Sequence, residues 1–65
     1  MAKVIITYND YTSETYTFES DLDVMGVASI IADSLDDNKS ILIPTKGTVI
    51  IIKSQNVDRV AVVEE

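Results

Sequence analysis

Few residues in this chain are of a type that could carry chemistry, and the densest group is Asp33, Asp36 and Asp37. Side chains three and four apart share one side of a helix, so these carboxylates would gather at the end of the best helix candidate. Clustered carboxylates hold hard cations or meet a basic partner. Their spacing does not fit a calcium loop, which needs ligands at alternating positions, a glycine and a closing glutamate. Acids are also unfavourable at the negative end of a helix dipole. The expectation is a solvated helix end that holds no metal. An acidic partner surface at Asp33, Asp36 and Asp37 is the alternative.

The remaining inventory is thin. There is no His and no Cys, which removes the usual zinc and iron ligands, the commonest general base and any disulfide. The Ser and Thr residues have no base nearby in sequence. Gly26 and Gly47 are the only glycines, too few for a phosphate-cradling loop. Tyr8, Tyr11 and Tyr16 lie in or beside one hairpin and read as cross-strand packing. We therefore expect no catalytic residues, no cofactor and no enzymatic activity, and look for binding.

Charge narrows the partners. The net charge is −6, and the five cations Lys3, Lys39, Lys46, Lys53 and Arg59 are scattered. Phosphate contacts need clustered Lys and Arg, so no direct nucleic-acid binding is expected. No run approaches the ~20 apolar residues of a membrane span. The first residues enter a strand-like segment rather than the apolar core of a secretion signal. The expectation is a soluble cytoplasmic protein.

The elements that must position any surface follow from periodicity. Lys3 to Tyr8 and Glu14 to Phe18 read as two strands joined by the turn Asn9-Asp10-Tyr11-Thr12-Ser13. Ser20 to Asn38 holds the helix. Val24, Ala28, Ile31 and Leu35 recur at spacings of four, three and four, Ser20 or Asp21 is placed to cap, and Asp23 suits the first turn. Gly26 interrupts it, as a close strand backbone would require. Ile41 to Pro44 and Thr48 to Lys53 flank Thr45-Lys46-Gly47, which fits a three-residue loop with a left-handed glycine. That register sets Leu42 opposite Ile50 and Ile43 opposite Val49. Arg59 to Val63 is the last strand, and Glu64-Glu65 blunts its end with charge. The predicted fold is a single α+β domain over residues 1–65: a small antiparallel sheet with one helix, in the order β-β-α-β-β-β.

The late strands are aliphatic on both faces, the pattern of a sheet covered on both sides. One helix of about 15 residues, roughly 22 Å at 1.5 Å per residue, covers one face only. A domain of ~60 residues is also a marginal size for a monomer. We therefore expect a protein-binding module that self-associates as a dimer or small ring. Ile41, Ile43, Val49 and Ile51 are assigned to the helix face of Val24, Ala28, Ile31 and Leu35. The self-association interface is assigned to Leu42, Ile50, Ile52, Ala61 and Val63. A one-residue change of register exchanges the two faces. The second reading is an acidic inhibitor, or nucleic-acid mimic, that blocks a basic groove on another protein.

The segment from Gly47 through Asn56 to Val63, with its strand, Asn-Val and strand pattern, resembles the ending of small accessory proteins encoded by phages and prophages of Gram-positive bacteria. The resemblance covers about a quarter of the chain. It implies an assembly aid or an antagonist of a host factor, acting in the host cytoplasm, and it transfers no functional residue.

Overall fold

A computed structural model describes Met1–Glu65. Strands β1 (Ala2–Tyr8) and β2 (Ser13–Phe18) precede helix α1 (Val24–Asp36), and β3 (Ile41–Thr45), β4 (Thr48–Ile52) and β5 (Val57–Glu64) follow it. The class and the element order are those predicted. The strands form two antiparallel sheets: β2-β1-β5 and the hairpin β3-β4. The Glu19 N–H donates to the Pro44 carbonyl at 2.8 Å and ties the end of β2 to β3. No helix is long and apolar enough to cross a membrane.

The helix is shorter than the periodic segment that predicts it. Asp23 is its cap: Oδ1 accepts the Gly26 N–H at 2.9 Å, satisfying one of the free donors of the first turn. Ser20 sits one turn earlier, where Oγ accepts the Leu22 N–H. At the other end Asn38 takes a left-handed φ of 55°. The Lys39 N–H then reaches the Ser34 carbonyl and the Asn38 N–H reaches the Leu35 carbonyl, a Schellman closure. Gly26 is crowded by the turn before it, not by a strand. A Cβ there would lie 3.1 Å from Leu22 Cβ.

The core is Ala2, Val4, Ile6, Phe18, Val27, Ile31, Ile41, Ile43 and Ile52. Alternate residues of β1 supply its floor, because Val4 pairs with Tyr16 on one side and Val62 on the other. Helix α1 packs across this face against β3 and β5.

The β3–β4 register corrects the sequence reading. Ile43 pairs with Ile50 and Leu42 with Ile51, so the loop has two residues, not three. Lys46 and Gly47 both have positive φ, 44° and 75°, the geometry of a type I′ turn whose twist suits a hairpin. The shift exchanges the faces of β4. Ile52 is buried and Ile50 half-buried beside Ile41 and Ile43, whereas Val49 and Ile51 face outward, 54% and 66% exposed. Ile52 thus belongs to the chain's own core and is not available for an interface, and Ile50 packs against that core. Leu42 is exposed as expected.

Candidate interaction site

The acidic cluster does not converge. Asp33, Asp36 and Asp37 are exposed, Asp37 pairs with Lys39 at 3.7 Å, and no three acids lie close enough to hold a metal ion. Much of the chain's negative charge serves local structure. Asp10 Oδ1 accepts from the Thr12 hydroxyl at 2.6 Å and its N–H at 3.1 Å, and the hydroxyl bond foremost holds the carboxyl below its ordinary pKa. Glu19 accepts from Lys46, Asp23 caps the helix, and Glu65 pairs with Lys3 at 3.7 Å.

The tyrosines divide. Tyr8 and Tyr16 are half-buried against the core, and Tyr8 Oη donates to Glu14 Oε1 at 2.9 Å. Burial, and then the bond to Glu14, raises both phenols above their ordinary pKa. Tyr11 stands in the loop with a φ of 69° and is almost wholly exposed.

Three hollows mark the surface. The largest, about 590 Å³, opens between Asn38, Ser40, Lys53, Ser54 and Gln55. Its lining is entirely polar and holds one cation, so it has neither the apolar wall nor the convergent groups of a ligand site. A second, of about 380 Å³, lies among Tyr8, Asn9, Asp10, Thr12 and Asn56 beside the β1–β2 loop. The third, of about 280 Å³, is lined only by apolar side chains: Val24, Ala28, Ile31, Ala32 and Leu35 of α1 with Val60 and Val62 of β5.

The position of this third groove matters more than its volume. No residue of β1 lines it, so it lies on the outer side of β5. That strand pairs with β1 alone and leaves its other edge free. The ladder shows which groups the edge presents. The Glu65 N–H donates to the Met1 carbonyl at 3.2 Å, so the odd residues of β5 turn toward β1. In an antiparallel ladder the alternate residues then turn away. Val60, Val62 and Glu64 therefore direct their N–H and C=O groups to the open edge. Asp58 sits at an irregularity, because Arg59 pairs with Thr7 but Val57 with Tyr8.

The five residues assigned to an interface from sequence are thus dispersed. Ala61 and Val63 lie exposed on the outer face of β5, Leu42 is exposed on the hairpin, and Ile50 and Ile52 point inward. A second apolar patch does form: Leu42 lies opposite Ile51 and one step from Val49. The groove residues Ala28, Ala32, Val60 and Val62 were not singled out together. Their signal is the pairing of two small residues, four apart on the helix, with a valine-rich final strand. Comparison with protein-family models, with curated proteins and with solved structures gives no match.

Proposed function

We propose that this chain is a small, acidic, non-enzymatic protein-binding module that works as an assembly of its own copies. The observation that supports the reading is the apolar surface left uncovered on a chain this small. Only nine of 65 residues are buried, while an apolar groove borders one free strand edge and Leu42, Val49 and Ile51 stand exposed beside another. Exposed patches of this kind mark interaction sites, and free edges invite pairing. The accessory role in phage assembly, or against a host factor, rests on the sequence resemblance alone and is part of the same proposal, as is action in the cytoplasm.

The test is mass in solution. Sedimentation equilibrium at tens of micromolar is expected to give a dimer or a small ring. A species of 7.2 kDa throughout that range overturns the reading.

A further inference from the structure

We infer that two copies pair antiparallel through the free edges of β5, with a two-fold axis at Val62, and so close the apolar groove between their helices. The inference rests on the self-association proposed above and names its surface and register.

The register follows from the edge. A two-fold axis perpendicular to the sheet keeps each side chain on its own face, so residues that meet must have the same parity. The bonding pairs must also join residues whose backbone groups face outward. Centring on Val62 sets Val62 against its own copy, and Val60 against Glu64 in both directions. All six outward groups of the regular edge are then bonded. Centring on Ala61 would instead oppose Glu64 to Asp58, where the ladder is irregular and both charges are negative.

Charge favours the same arrangement. Arg59 has no ion pair within the chain. In the Val62-centred register it lies directly opposite Glu65 of the second copy, twice per dimer, and there shares that carboxylate with Lys3, which stands 3.7 Å from it. On the same face Ala61 meets Val63. On the other face Val60 and Val62 of both copies form an apolar floor, bounded at each end by a Glu64. Val24, Met25, Ala28, Ala32 and Leu35 of each helix flank it, and the two alanines leave room for close approach.

A stable interface covers about 800 Å² per partner, close to one fifth of the 4370 Å² that the chain exposes, so the contact must take in the helix residues beside the groove as well as the strand edge. The groove brings the helix to Val60 and Val62 of the strand, the centre of the paired edge.

The occupant is a second copy rather than a basic peptide, and salt separates them. Two chains of net charge −6 repel overall while the two Arg59–Glu65 pairs attract, so added salt should not dissociate them, whereas a basic partner would be released.

The chain has no cysteine, which makes cross-linking decisive. Residues opposite in a non-bonded pair lie about 4.5 Å apart, and diagonal ones about 7–8 Å, beyond disulfide reach. Ala61→Cys and Val63→Cys are both on the exposed outer face. Under oxidation the mixture of the two variants is expected to form a covalent dimer, and each alone is not. Ala32→Arg, at an exposed helix position, is expected to raise the dissociation constant at least tenfold with the circular dichroism unchanged. Cross-linking by Ala61→Cys alone overturns the register. A dimer that survives Ala32→Arg and cross-links in neither case overturns this surface while self-association stands. A monomer of the unmodified chain overturns both.

Discussion

The backbone N–H of Lys46, at the tip of the β3–β4 hairpin, donates to Glu19 Oε2 at 2.8 Å. Glu19 follows β2 directly, and its own N–H donates to the Pro44 carbonyl. One residue therefore holds the hairpin to the three-stranded sheet by both its backbone and its side chain. The carboxylate bond carries charge, and such bonds contribute about 1.5–3 kcal/mol when shielded. Glu19 is exposed, so solvent screening brings the value below that range. Glu19→Ala is expected to cost about 1 kcal/mol, read as a lower urea midpoint with an unchanged slope. An unaltered midpoint would show that the carboxylate bond adds nothing to the backbone bond and the core contacts that join the two sheets.

The turn offers the opposite sign. Lys46 holds a φ of 44° without a glycine's freedom, and type I′ turns favour Asn followed by Gly. Lys46→Asn keeps the N–H that Glu19 accepts and is expected to stabilise by about 0.5–1 kcal/mol. Gly47 has a φ of 75° with nothing within 4 Å of an added Cβ. Gly47→Ala therefore meets no clash and reports backbone strain only, a loss of about 1–2 kcal/mol. Thermal unfolding of the two variants should move in opposite directions.

Ile51 and Ile52 are neighbours with opposite surroundings. Ile52 is packed with Ile41 and Ile43, and Ile51 stands 66% exposed. Ile52→Ala is expected to lose about 2–5 kcal/mol through the cavity it leaves. Ile51→Ala should stay within about 0.5 kcal/mol, as surface substitutions do. Denaturant titration in dilute solution, where any assembly is dissociated, separates the two. Equal losses would contradict the observed pairing of Ile43 with Ile50.

That pair also marks where reading from sequence stops. The order of elements was legible, because the strands are bounded by polar breaks. The helix face was legible in part: Val24, Ile31 and Leu35 repeat at helical spacing, but the helix buries Val27 with Ile31 and leaves Val24, Ala28 and Leu35 half-buried along the groove. The loop length was not. It depends on Lys46 accepting a left-handed conformation, and nothing in a lysine signals that; one residue of error then exchanged the faces of β4. The open edge was hidden for a different reason. β5 is an edge only because β1 lies between it and β2, with Lys3 opposite both Thr17 and Val63. Such distant pairing leaves no local mark in either strand.

The last prediction concerns Tyr8. Its phenol is half-buried and donates to Glu14 Oε1. Burial first, then that hydrogen bond, then the neighbouring charge of Tyr16, raise its pKa above the ordinary 10.0. Above pH 10 the unfolded chain has released this proton while the native chain still holds it. The native state then binds more protons, and stability falls as pH rises. The contribution is fully present below about pH 10 and is lost on the alkaline side. Tyr8→Phe is expected to flatten the decline in urea midpoint above pH 10, leaving the part that Tyr16, raised for the same first reason, continues to give. Glu14→Gln should lower the phenol's pKa only partway toward 10.0, because burial is the larger cause. Near-ultraviolet titration of the phenolate band measures both variants. A full return to 10.0 in Glu14→Gln would show that the carboxylate, not burial, governs the site.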